Sequence, residues 1–211
     1  VTAESAPDLS LFFDILRTLE RVQAPYMIIG AFAATLYGST RVTYDIDIVV
    51  DLNETHIQAL AATYPSPRYY ADPDQMRDSI AKGIMFNIID SSRGEKADLV
   101  PLTMAERYRQ AFQRRERQIV DAPGLEPFEV WCARPEDVIL GKLIAWQEGR
   151  SHKHEIDIYE MLVFHYLGLD PELSAAFDET YITTQAQTMG VDVFELWTAT
   201  QIAARQEADR G

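Results

Sequence analysis

One cysteine, Cys132, stands in a chain of 211 residues. A single thiol excludes an intrachain disulfide framework and a zinc-finger ligand set, and it fits a reducing compartment. Long apolar runs are missing as well: none approaches the ~20 residues that a membrane-spanning helix needs. The opening VTAESAPDLS lacks a basic stretch followed by an apolar one, so no secretory signal is visible in it. A cytoplasmic location and no membrane partner are therefore expected. Positive charge is scarce: 19 Lys and Arg against 33 Asp and Glu leave a net charge of −14. Such a balance disfavours broad, non-specific capture of nucleic acid, which depends on many phosphate contacts. There is no internal repeat, low-complexity tract or obvious flexible linker.

What is present is ordinary for a globular protein with a real core: 47% hydrophobic and 25% charged residues. LSLFFDILRTLERV at 9–22 places apolar side chains at helical spacing. PYMIIG at 25–30 reads as a short buried strand ended by Gly30, and AFAATLYG at 31–38 as a helix closed by Gly38. TYDIDIVVDL at 43–52 reads as a strand, with Asn53 as cap for the helix after it. A helix over 73–82 precedes two strands, GIMFNIID and KADLVPL, joined by the polar turn SSRGE. TMAERYRQAF at 103–112 reads as helix, and the segments near 117–121 and 127–132 as short edge strands. From Pro135 onward the pattern is helical: 135–149, the HKHEIDIYEMLVFHYLG stretch, 171–189 and 191–208. The expected architecture is α+β, a mixed β-sheet core with flanking helices over 1–133 and a helical part over 134–211 packed on it.

The stretch GSTRVTYDIDIVV at 38–50 carries the chemistry. Strand alternation turns Asp45, Asp47 and Val49 to one face and Ile46, Ile48 and Val50 to the other. Two like charges about 7 Å apart along a strand repel, and burial worsens the repulsion. A positive partner must sit nearby. Arg41 or another basic side chain could supply it, and so could a divalent cation, since magnesium prefers hard oxygen ligands completed by water and phosphate. A two-metal phosphoryl-transfer site wants a third carboxylate, and Asp98 in EKADLVPL offers one if its strand lies beside 43–50. Upstream, Gly30 at a strand-to-helix turn permits close backbone approach to an anion.

Taken together, Gly30, Asp45, Asp47 and Asp98 resemble the pattern of the nucleotidyltransferase superfamily that includes DNA polymerase beta. There, glycine plus glycine or serine precedes a spacer and an aspartate–hydrophobic–acid triplet; here the matching residues are Gly30-Ala31 and Asp45-Ile46-Asp47. The fuller string IIGAFAATLYGSTRVTYDIDIVVD is similar to the minimal nucleotidyltransferases and the AbiEii-like toxin group, in which an arginine and a threonine precede the aspartates; Arg41 and Thr43 match. RPEDVILGKLIAWQEGRSHKHEIDIYEML continues the likeness with Lys142, Arg150 and Asp157. The resemblance covers about 10–165 and implies a catalytic core over 1–133. It also implies Mg2+ or Mn2+ on Asp45, Asp47 and Asp98, and an NTP such as ATP held near Gly30, Ala31, Arg41, Thr43 and Lys142. NMP would pass to RNA (tRNA among the candidates), a small molecule or a protein, with pyrophosphate released. A protein partner of the toxin–antitoxin kind also falls within the resemblance.

Other features carry competing readings. Ala31 stands where glycine or serine is usual, and with the acidic balance it motivates an alternative: an inactive nucleotidyltransferase fold that binds or regulates. The arginines of RYRQAFQRRERQ (Arg107, Arg109, Arg114, Arg115 and Arg117) form either a solvated helix face or an RNA-binding patch. Lys142 is either a phosphate contact or a surface lysine, and Asp157 has Lys142 and Arg150 as candidate partners. His152 and His154 lie two apart, which on a helix gives them different faces and points to structural roles.

Overall fold

The structure is a computed structural model and describes residues 9–41, 43, 46–121 and 126–210. Its chain divides into two compact units, Val1–Phe32 with Val42–Ala133, and Ala33–Arg41 with Arg134–Gly211. The elements of the first part, in chain order, are α1 (Ser10–Arg21), β1 (Tyr26–Ile29), α2 (Gly30–Thr35) and β2 (Asp47–Val50). There follow α3 (Glu54–Thr63), β3 (Tyr69–Tyr70), α4 (Pro73–Lys82), β4 (Phe86–Asp90) and β5 (Glu95–Pro101). A 3-10 turn at Leu102–Met104, α5 (Glu106–Arg114), β6 (Glu116–Val120) and β7 (Phe128–Cys132) complete it. After Phe32 the chain of α2 passes into the second unit.

The seven strands form one mixed sheet in the order β3-β4-β5-β2-β1-β7-β6. β2 pairs antiparallel with β1 and parallel with β5, while β4 and β5 pair antiparallel. Ile48, Val49 and Val50 of β2 are all buried, as a central strand covered on both faces requires. α1 turns Leu11, Phe12, Ile15, Leu16 and Leu19 inward and packs on β5 and α3. Asn53 caps α3 by accepting from the His56 N–H at 3.0 Å, and His56 Nδ1 accepts from the Asn53 N–H at 3.2 Å. α4 is bounded by the Asp72 cap, Pro73 in the first turn and Gly83 in the left-handed region. This frame delivers the segments that carry Asp47 and Asp98 to neighbouring places at the middle of the sheet.

Two expectations for this part need correction, and one strand is added. β7 is an interior strand between β1 and β6, with Val130 and Cys132 buried; of these two strands β6 is the edge. The two-residue β3, too short to leave a periodic signal, adds the opposite edge. The arginine run is not one helix face, because α5 ends at Arg114 and the chain re-enters the sheet at Glu116.

The second unit is helical: α6 (Pro135–Gly149), α7 (His152–Tyr166), α8 (Pro171–Ala176), α9 (Glu179–Met189) and α10 (Val191–Ala208), with 33–41 against them. Ile139, Leu143, Ile158, Leu162, Ile182 and Val193 are fully or nearly fully buried, and the Trp197 indole N–H donates to Thr183 Oγ1 at 2.9 Å. Residues 171–189 make two helices, not one. Phe177 is extended between them, and Asp178 accepts from the Tyr181 N–H at 2.9 Å to start α9. Gly38 has φ +99°, and a β-carbon there would lie 2.4 Å from Phe164 Cβ, so only glycine lets this segment reach α7.

Candidate active site

Asp47 opens β2, in register with Ile29 of β1 on one side and Asp98 of β5 on the other. Register partners on adjacent strands share a face, and such strands lie about 4.8 Å apart. Two carboxylates from distant stretches of sequence are thus side by side at the middle of the sheet. The chain ending at Ile29 turns immediately into α2 through Gly30, whose φ is +72°. A β-carbon added to Gly30 would lie 2.2 Å from Asp47 Oδ2 and 3.2 Å from its Cγ. The missing side chain therefore makes the space in which the Asp47 carboxylate rests against the turn. Ala31, the next residue of α2, and Thr43 are half-buried. Asp45, the first acid of the pair, lies outside the described residues.

Asp98 is 8% exposed and well supplied with donors. Lys96 Nζ donates to both of its oxygens, at 3.0 Å each, and Asn87 Nδ2, from the register partner on β4, donates to Oδ1. Neither Lys96 nor Asn87 belongs to a recognisable motif. The alternation of EKADL nevertheless puts Lys96 on the face of Asp98, a signal that the sequence contains.

In the helical unit a second carboxylate gathers the cations. Asp157 of α7 is fully buried and accepts from Arg41 Nε at 2.9 Å and Arg41 Nη2 at 3.1 Å, and from Lys142 Nζ of α6. One turn along the same helix, Glu160 accepts from the Thr40 N–H at 2.8 Å and the Thr40 hydroxyl at 2.7 Å. The Ser39 hydroxyl lies 3.3 Å from Asp157 Oδ1 and 3.0 Å from Glu160 Oε2. Spaced by three, Asp157 and Glu160 share a face of α7 and together tie down 39–41. Burial alone would push the Asp157 carboxyl up, but Arg41 and Lys142 hold it below the ordinary aspartate range. The bond to Asp157 raises the Arg41 guanidinium in turn. Arg150 pairs with Asp192, so Lys142 and Arg41 are the cations on Asp157.

The family model for the nucleotidyl transferase AbiEii toxin of type IV toxin–antitoxin systems matches residues 27–210. The chain belongs to the AbiEii family. Nucleotidyl transfer is accordingly its chemistry at family level. No curated protein sequence matches the chain. Among solved structures, the solution structure of the antibiotic-resistance factor ANT(2'')-Ia aligns with 86% of this chain and 96% of its own, at 17% identity and a TM-score of 0.41.

For an AbiEii member the question is which residues could hold a divalent cation. Among the described residues no group of three His, Cys, Asp or Glu side chains gathers in metal-binding geometry. Asp47 and Asp98 bring two hard oxygen donors to one register position, the ligand type that Mg2+ and Mn2+ prefer.

The remaining candidates have local roles. His152 Nδ1 lies 2.8 Å from Glu155 Oε2, and burial, with Lys142 nearby, lowers the His154 imidazole. Of the arginine run, Arg115 stacks 4.0 Å over Phe112 and 4.7 Å over Trp131. Arg117 lies 4.4 Å over the same indole and donates to Glu20 Oε2 at 3.1 Å. Burial and the charge of Arg117 lower the Arg115 guanidinium. No helix among the described residues is long and apolar enough to cross a membrane.

Proposed function

We propose that this AbiEii-family chain transfers a nucleoside monophosphate from an NTP to a hydroxyl group of RNA, a small molecule or a protein. The meeting of Asp47 and Asp98 at one register position, beside a turn where only glycine fits, supports this reading best. Asp47 and Asp98, with Asp45 of the same acidic triplet, would hold Mg2+ or Mn2+, and the bound ion would neutralise phosphate charge and acidify the attacking hydroxyl. The residues of the chain do the rest. The Gly30–Ala31 turn and Thr43 would take the triphosphate side; Arg41 and Lys142, which the resemblance assigns to nucleotide, are both bound to Asp157 within the helical unit. Asp98 orients the acceptor hydroxyl and draws off its proton. The acceptor oxygen bonds to the α-phosphorus, the bond from that phosphorus to the bridging oxygen breaks, and pyrophosphate leaves with its charge spread over phosphate oxygens.

The test incubates the protein and Mg2+ with each of the four NTPs, labelled at the α-phosphate, and a cell extract as acceptor source. Label should pass to an acceptor, and Asp47→Asn should lower the rate by roughly 100-fold or more, several kcal/mol of lost charge stabilisation. Absence of transfer together with absence of Mg2+-dependent NTP binding by calorimetry, for all four nucleotides, would instead favour a family member that keeps the fold for binding or regulation.

A further inference from the structure

The ammonium of Lys96 sits where a metal ion would have to bind Asp98. Its Nζ spans Oδ1 and Oδ2 at 3.0 Å each, and Asn87 takes a second position on Oδ1. Both oxygens of the carboxylate thus already face donors on the sheet surface that Asp47 shares. The two donors differ in kind. Asn87 is a short side chain on the neighbouring strand, in register with Asp98, and it fixes the plane of the carboxylate. Lys96 reaches along its own strand from two residues away, and half of its side chain is exposed, against 11% for Asp98. A long aliphatic stem with a hydrated head can swing into solvent without uncovering core, and an ion pair of this exposure is weak.

We propose that Lys96 is an exchangeable counter-ion: it neutralises Asp98 in the metal-free protein and yields the carboxylate to the divalent cation when nucleotide and metal arrive. The inference rests on the metal-binding reading above and assigns a positioning residue within it. Lys96 offsets the charge of Asp98 in the metal-free protein, and it sets the affinity of the site for metal below what the acids alone would provide. Asn87 keeps Asp98 in the rotamer from which the exchange occurs.

Mn2+ alone is the probe, followed by calorimetry and by the loss of its free-ion spin resonance signal. Wild type, Lys96→Met, Lys96→Gln and Asp98→Asn are compared, with circular dichroism to show that each is folded. Removing the ammonium should tighten Mn2+ binding roughly two- to fivefold in both Lys96 variants, the range set by an exposed ion pair. Asp98→Asn should weaken it. If binding depends on Asp98 but is unchanged or weaker in the Lys96 variants, Lys96 is not the competitor and the inference fails, while the metal site stands. A Lys96 variant that binds Mn2+ like wild type but loses affinity for Mn2+-NTP would overturn it in favour of a phosphate contact. Absence of Mn2+ binding in every form, or binding indifferent to Asp98→Asn, would sink the metal reading and this inference with it.

Discussion

Two buried carboxylates, one in each unit, hold lysine, and they do so in opposite ways. Asp157 is wholly buried, its lysine partner is only 5% exposed, and Arg41 with two hydrogen bonds completes a closed set. Asp98 lies at the middle of the sheet, and its lysine is half in solvent. A buried charge cluster cannot be opened without stranding an ion in a poor solvent, so it persists and fixes geometry. A pair with one foot in water can be exchanged at little cost, which is what a site that must accept and release a cation requires. The same residue pairing thus builds a fixed post in the helices and a replaceable cap on the sheet.

Breaking the fixed post should have the largest effect. Asp157→Asn leaves Lys142 buried without its counter-charge and should destabilise the protein by about 3–5 kcal/mol, read from urea denaturation. A loss below about 1 kcal/mol would show that the two pairs do not differ as argued. Next comes Gly30→Ala, which places a side chain on a left-handed backbone and against Asp47 Oδ2. The backbone term alone is about 1–2 kcal/mol, and the displaced carboxylate should lower nucleotidyl transfer by more than stability accounts for. Transfer at the wild-type rate would separate the Gly30 turn from the chemistry.

The smallest effect is in acid. Because the carboxyl of Asp157 is held below its unfolded value, near about 3.9, the folded state binds fewer protons there than the unfolded chain. Its contribution is complete above that unfolded value and is lost as pH falls through the lower, folded one. The stability gap between wild type and Asp157→Asn should therefore be constant near neutrality and shrink below about pH 4. A gap that widened in acid would reverse the sign assigned to Asp157.

Much of the local structure is legible in the chain. The helix over 73–82 is announced by Pro73 and Gly83, the Asn53 cap stands before a helical run, and the strand pair GIMFNIID and KADLVPL is divided by its polar turn. Less legible are features without local periodicity: a two-residue strand, the break at Phe177 inside a continuous helical pattern, and the interior place of β7. At the candidate site, the DID triplet and the Gly30 turn can be read directly. Strand alternation puts Lys96 on the face of Asp98, but a lysine and an asparagine in strands are commonplace, so nothing marks Lys96 or Asn87 as its partners until the fold is known.

By itself the sequence determined the kinds of element and the residues with chemical potential, since helix stripes, caps, glycine turns and strand alternation are set by neighbours along the chain. Tertiary structure alone decided the partners. β2 met β5 so that Asp47 stands beside Asp98, 33–41 joined the helical unit, and Arg41 and Lys142 closed on Asp157. Strand order and ion pairing follow from which surfaces bury best together, and that is a property of the folded whole.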